Sequence, residues 1–223
     1  EERRVPADPL AAYAVPLTER AKAGQLDPVI GRRDELRRAL DRDQLVTFYQ
    51  PKFAFEHGAW RIHGVEALIR WQHPELGLVY PDAFIGLAEE TGLSAALTDF
   101  VLQDGIGQLG RWAAHGVDLD LAVNLSPRLV RELDFPDRLA ELMRRHAVDN
   151  ARLTLEITES AALDDPARTR DILTRLRLKG FGLSLDDFGT GYSSLTQLYR
   201  MPFSELKIDK SLGTELHHSR EAR

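Results

Sequence analysis

From Val46 onward the apolar residues recur with two alternating periods, one suited to strands and one to helices. Short apolar runs near residues 46–53, 61–69, 119–125, 152–157, 181–186 and 203–209 predict strands. Between the later runs, stretches near 81–91, 95–115, 136–147 and 166–179 place apolar residues three and four apart and predict helices. Pro81-Asp82, Pro136-Asp137 and Asp165-Pro166 supply the Pro or Asp that favours a helix start. Strand–helix alternation with short connections predicts a parallel sheet covered by helices. Its strands should be apolar on both faces, and Leu119–Val123 and Leu153–Ile157 nearly are. Residues 1–42 read differently: Pro6, Pro9, Pro16 and Pro28 punctuate a charge-rich stretch that ends in a helix-like run from Asp34 to Leu45. The expected organisation is therefore an N-terminal linker and helical extension over 1–42 and one α/β domain over 43–223.

The polar residues fall where the predicted strands end. These are Glu66, Asn124, Glu156 with Glu159 just beyond, the pair Asp186 and Asp187, and Lys207 with Asp209. In a (β/α) barrel all C-terminal strand ends meet at one face. In an open doubly wound sheet they spread along an edge, with a crevice only where the strand order reverses. Five polar strand ends fit a barrel better. The aspartate pair opens the glycine-bracketed turn Phe188-Gly189-Thr190-Gly191, and two neighbouring carboxylates make electrostatic sense around a cation.

Composition narrows the chemistry. The 223 residues are 43% hydrophobic and 29% charged, as in an ordinary water-soluble domain. A net charge of −6 argues against nonspecific binding to a nucleic-acid polymer or an anionic membrane. A small anionic ligand remains open, because a bound divalent metal inverts the local sign. There is no cysteine, so disulfides and thiolate metal sites are excluded, and a cytoplasmic setting fits. No apolar run is long enough to predict a membrane span. The first residue is Glu, not Met, which suggests an excerpt or a processed chain.

Glu66, Asn124, Glu156, Asp186 and Asp187 are all oxygen donors, and the seven histidines show no HExxH spacing. Such a set suits hard cations such as Mg²⁺, Mn²⁺ or Ca²⁺. Adjacent aspartates let one carboxylate bridge two metals while the other binds only the second, and a two-metal site polarises a phosphoryl group. Lys207 can stabilise developing negative charge or orient water, and Arg70 offers a fork for a phosphate oxygen. Metal-assisted phosphodiester hydrolysis is the reaction class. Each residue alone has a plainer reading: a strand-end carboxylate as a helix cap, Asp187 as a turn starter, Lys207 and Asp209 as a surface ion pair. Trp60, Trp71 and Trp112 read as packing residues rather than a base-stacking platform. The metal reading rests on the coincidence of several positions.

Those positions resemble a family. Glu66-Ala67-Leu68 followed by Ile69-Arg70-Trp71 resembles the EAL motif of bacterial cyclic di-GMP phosphodiesterases. The likeness continues through Tyr49-Gln50-Pro51, Asn124-Leu125-Ser126, Leu155-Glu156-Ile157-Thr158-Glu159, Asp186-Asp187-Phe188-Gly189-Thr190-Gly191 and Leu206-Lys207-Ile208-Asp209. It covers roughly residues 34–212, in the family's order. The resemblance implies an EAL-type (β/α)₈, TIM-like barrel whose first two strands are antiparallel, and hydrolysis of cyclic di-GMP to linear pGpG with Mg²⁺ or Mn²⁺. By the same resemblance Glu66, Asn124, Glu156 and Asp186 would hold one metal, and Asp186 and Asp187 would serve the second. Lys207 would contact the nucleophilic water, and Glu159 would brace the loop that begins at Asp187. Gln50, Leu68, Arg70 and Asp209 would contact substrate, and the loop at 187–195 would serve a homodimer.

The chain departs from that family after Asp209. The family continues with two more strands bearing an EGVE-like Glu, a ligand of the second metal, and a QGY-like Gln, and neither motif occurs here. The expectation is an incomplete barrel of about six strands with the last two missing. The alternative function is an impaired EAL domain acting as a cyclic di-GMP receptor or an interaction scaffold. Residues 17–32 also resemble the linker before the first AAA+ module of Clp-type ATPases, but no GxxxxGK[ST] loop occurs, so ATP hydrolysis is not expected.

Overall fold

The computed structural model describes residues 29–189 and 201–209. The chain enters through helix α1 (Val29–Asp41), whose Leu36 and Ala39 are fully buried. This helix starts and ends earlier than the Asp34–Leu45 run predicts, because Leu45 already opens the first strand. Strands β1 (Leu45–Glu56) and β2 (Ala59–His73) form a long antiparallel hairpin, as the resemblance implies. A short β3 (Gly77–Val79) folds back on the end of β2, and the sequence pattern did not predict it.

After β3 come a 3₁₀ turn at Pro81–Ala83, helix α2 (Ile85–Thr91) and the long helix α3 (Ser94–Ala114). Then β4 (Asp120–Asn124), α4 (Phe135–Arg145), β5 (Leu153–Thr158), α5 (Glu159–Asp164), α6 (Pro166–Leu178), β6 (Gly182–Phe188) and β7 (Glu205–Ile208) follow. The main sheet runs β1-β2-β4-β5-β6-β7, parallel from β2 onward. It is a curled half-barrel with helices on its outer face. Among the described residues its two edges, β1 and β7, are not paired with each other.

The helix starts follow local chemistry. Asp165 accepts a hydrogen bond from the Arg168 amide with Pro166 at the first position, and Thr158 caps α5 through the Ala161 amide. The turn at Pro81 is 3₁₀ rather than α, so the predicted 81–91 helix begins only at Ile85.

The core lies between sheet and helices. Val65, Ala67, Ile69 and Trp71 alternate along β2 toward the helices, while Glu66, Leu68 and Arg70 face the concave side. Gly105 of α3 sits where a β-carbon would lie 3.1 Å from Leu121, so its lack of a side chain lets the helix settle onto β4. Ile172, Leu173 and Leu176 of α6 are fully buried, each stabilising the fold by about 1.5–3 kcal/mol. Trp71 is buried and Trp112 packs edge-on against Tyr49. Trp60 corrects the packing expectation. It is 69% exposed at the hairpin tip, touching Phe55, because no element of the described fold reaches that far along β2.

Candidate active site

The C-terminal ends of β2, β4, β5, β6 and β7 bring the polar strand-end residues onto the concave face. Asn124 on β4 donates through Nδ2 to Glu66 Oε1 at 2.9 Å. Lys207 on β7 places its ammonium among three carboxylates: Glu156 Oε2 at 2.9 Å, Asp186 Oδ2 at 3.1 Å and Glu66 Oε2 at 3.4 Å. Strands far apart in sequence are thereby tied through one charge. Glu156 is almost wholly buried, at 1% exposure. Burial pushes its carboxyl above the ordinary glutamate range, while the bond to Lys207 opposes that push. Burial alone would lower the Lys207 ammonium, but the hydrogen bond to Glu156 and the charges of Glu156 and Glu66 outweigh it and hold it well above the usual lysine value. Lys207 is therefore a fixed cation at neutral pH. It donates to the three carboxylates and can stabilise negative charge.

The aspartate pair owes its geometry to an irregularity. Between Leu185 and Phe188 the register of β6 against β7 slips by one residue, and Asp187 adopts a left-handed backbone with φ of 55°. Such a bulge re-aims side chains that strict alternation would send to opposite faces. The Asp187 amide donates to Asp186 Oδ1 at 2.9 Å. Burial, then the charges of Asp186 and Asp209, raise the Asp187 carboxyl above its usual range, and Lys207 opposes them. Just beyond, Glu159 at the start of α5 is 4% exposed, and its Oε2 accepts from the Gly189 amide at 3.2 Å. The rest of the 187–195 loop after Gly189 lies outside the described residues, as does segment 17–28 of the Clp-like stretch.

Beside the carboxylates lies a cavity of about 400 Å³, lined among others by Leu68, Pro81, Ile85, Asn124, Glu156 and Asp187. Its walls are mainly apolar, and Glu156 and Asp187 are the members of the acidic cluster that line it. Arg70, on the same face of β2, lies with its guanidinium 4.9 Å from the Tyr80 ring and 5.7 Å from Phe48, and donates to its neighbour's carbonyl. Gln50 stands opposite Glu66 in the hairpin register and is exposed. Asp209 donates its amide to the Phe188 carbonyl, which keeps it close to the aspartate pair. Sequence reasoning missed Lys52. Its ammonium lies 3.4 Å from Glu156 Oε1 and 3.2 Å from Glu205 Oε1. The bulge beside it, where β2 carries the extra residue His63, left no signal in the hydrophobic pattern.

The donor set suits a hard divalent cation, with Glu66, Asn124, Glu156 and Asp186 as the residues that would hold it and Asp187 beside them. Among the described residues no three acidic or histidine side chains enclose one common open point. Glu66, Glu156 and Asp186 converge instead on the Lys207 ammonium, which marks where the carboxylates call for positive charge.

A half-barrel with its carboxylates gathered at the C-terminal strand ends puts them at the face where (β/α) barrels collect their functional groups. The family model described as the EAL domain matches residues 33–223, and the chain belongs to that family. It is 44% identical over 185 residues to the bifunctional diguanylate cyclase/cyclic di-GMP phosphodiesterase MucR of Pseudomonas aeruginosa, covering 82% of this chain and 27% of that protein. It is 37% identical over 184 residues to the cyclic di-GMP phosphodiesterase PdeR of Escherichia coli, with the same coverage. The chain thus spans about a quarter of the length of these curated relatives. A solved structure described as the PaMucR phosphodiesterase in a c-di-GMP complex matches with a TM-score of 0.77 at 42% identity, covering 85% of this chain and 76% of that one. The FimX EAL domain of Xanthomonas citri, at 24% identity and a TM-score of 0.76, shares the fold. No helix among the described residues is long and apolar enough to cross a membrane.

Proposed function

We propose that the chain binds cyclic di-GMP in the cavity at its C-terminal strand ends and hydrolyses it to linear pGpG with Mg²⁺ or Mn²⁺. The observation that carries this reading is the convergence of Glu66, Glu156 and Asp186 on one point beside an apolar cavity. Leu68 and the apolar wall suit a flat base, and Arg70 offers its fork to a phosphate. Bound divalent metal would supply a polarised phosphoryl group and an acidified water. Lys207, whose ammonium lies among the three carboxylates, would orient that water and stabilise charge on the phosphate. Glu159 fixes the turn after Asp187, and Gln50 and Asp209 border the substrate. The reading includes a cytoplasmic location, which suits a chain without cysteine.

Incubation with cyclic di-GMP and Mn²⁺ should release linear dinucleotide, and Asp186→Asn should reduce the rate by at least about 100-fold. An absence of product from the unaltered chain at high enzyme concentration sinks the catalytic reading. A second reading, a receptor that binds cyclic di-GMP without turnover, draws on the absence of a ready three-carboxylate cage among the described residues. Calorimetry with cyclic di-GMP in Ca²⁺ separates the two: heat of binding without product in Mn²⁺ supports the receptor. No heat at high micromolar ligand rules out both.

A further inference from the structure

The concave face carries a second lysine that nothing in the sequence pattern singles out. Lys52 lies on β1, one edge of the sheet, and contacts Glu156 of β5 and Glu205 of β7, the opposite edge. In a flat sheet β1 and β5 would stand roughly 14 Å apart, three strand spacings, which a lysine cannot bridge. The curl of the half-barrel makes the contact, and the sheet register clears its path. Lys52 stands opposite Gly64, which has no side chain to block the lysine stem. A β-carbon at Gly64 would meet the Asp120 carbonyl oxygen at 2.7 Å, so the glycine is also required by the approach of β2 to β4.

Glu156 is thereby held from two sides. Lys207 takes Oε2 at 2.9 Å and Lys52 faces Oε1 at 3.4 Å, while Glu205 anchors Lys52 from β7 at 3.2 Å. The Glu156 side chain has no solvent exposure, whereas Lys52 and Glu205 are 21% and 42% exposed. A carboxylate removed from water needs donors on both oxygens, and these two ammonium groups provide them.

We propose that Lys52 is a positioning residue for the acidic site. It fixes the rotation of the Glu156 carboxylate from below, through Oε1, so that Oε2 is presented toward the cation-binding end. This rests on the reading of Glu156 as a metal ligand under the proposed function. Groups that orient a metal-binding side chain from behind commonly alter metal affinity by about 10–100-fold when removed.

The test is Mn²⁺ binding to the whole chain, read by electron paramagnetic resonance of the free ion without nucleotide or turnover. Lys52→Met should weaken Mn²⁺ binding by about tenfold. Lys52→Arg, which keeps charge and donors, should restore most of it. Glu205→Gln, which leaves Glu156 and Lys52 in place but removes the anchor, should weaken binding less. The direction is diagnostic. Were Lys52 only a nearby positive charge, its removal would tighten Mn²⁺ binding, because one repulsive cation would be gone. Equal or tighter binding by folded Lys52→Met overturns the proposal, and if that variant does not fold, an unchanged affinity in Glu205→Gln does so. A fall in melting temperature with unchanged Mn²⁺ affinity also overturns it, since that is the mark of a purely structural ion pair. Failure of the unaltered chain to bind Mn²⁺ defeats the metal reading itself and this proposal with it. Failure of the variants alone defeats only the role of Lys52.

Discussion

Glu156 and Lys207 form the pair on which the acidic face depends, and the asymmetry of their burial sets what each substitution does. Glu156 has no exposed side-chain surface and Lys207 retains 26%. Lys207→Met leaves three carboxylates facing one another without their shared cation. The expected loss of stability is roughly 2 kcal/mol, below the 3–5 of a fully buried pair because water still reaches the lysine. Urea unfolding in the absence of metal measures it, and added Mn²⁺ should recover part of the loss if these carboxylates hold a cation. Tyr49 gives a second test at this scale. Its hydroxyl donates to Asp104 at 3.1 Å, and burial, then the Asp104 charge and that bond, raise the phenol above its ordinary value. A raised value means the folded state prefers the protonated phenol. The stabilisation is therefore complete below about pH 10 and is lost as pH rises through the folded value. Tyr49→Phe should cost about 1 kcal/mol at neutral pH and flatten the alkaline fall in stability, seen as urea midpoints compared at neutral and alkaline pH. At this scale the acids and Lys207 were legible, because a charged residue closing an apolar strand stands out. Lys52 was not: its partners lie 104 and 153 residues away and only the curl brings them together.

At the scale of elements, the strands of the parallel sheet follow the apolar runs within one or two residues at most ends, and the helices after Asp165 and over 94–114 follow theirs. Residues 153–158 are a clear case, since Leu153, Leu155 and Ile157 are fully buried and Glu156 is the one charged residue of the run. The pattern missed β3 and α5, each of six residues or fewer, too short for either period to declare itself. It also missed the slip in β6 at the aspartate pair, because a bulge is set by the neighbouring strand rather than by local composition. The junction of β2 and β4 offers a prediction of its own. Gly64→Ala would place a methyl group 2.7 Å from the Asp120 carbonyl oxygen, a backbone atom that can yield only by parting the two strands. A cost of roughly 1–3 kcal/mol in denaturant unfolding is expected. Because Glu66 lies two residues on, cyclic di-GMP binding should weaken in the same variant.

For the molecule as a whole, the half-barrel gathers its carboxylates on the concave face, while the far end of the hairpin exposes Phe53, Phe55, Trp60 and Ile62, all by more than half. Phe53 pairs with Ile62 and Phe55 with Trp60 across the hairpin, so the four share one face, and the extra residue His63 in β2 puts that face opposite the one that carries Lys52 and Glu66. Ligand binding at the carboxylates of the concave face should stabilise the entire domain, since their residues come from five strands. At a cyclic di-GMP concentration of about 100 times the dissociation constant, in Ca²⁺ to prevent turnover, the gain is roughly 2.7 kcal/mol. In a domain of this size that raises the melting temperature by about 5–10 °C. Arg70→Ala should lose most of the shift, and a full shift in that variant would remove Arg70 from the binding site.

The sequence by itself determined the order of strands and helices, the acidic strand ends and the family, because burial and alternation are written locally along the chain. It also carried the adjacent aspartates and the lysine that answers them. Only the tertiary structure decided that Asp186 and Asp187 share a bulge, that three carboxylates meet at Lys207, and that Lys52 reaches Glu156 from the far edge. Those contacts depend on how far the sheet curls, and curl is a sum of small twists over six strands that no single segment encodes.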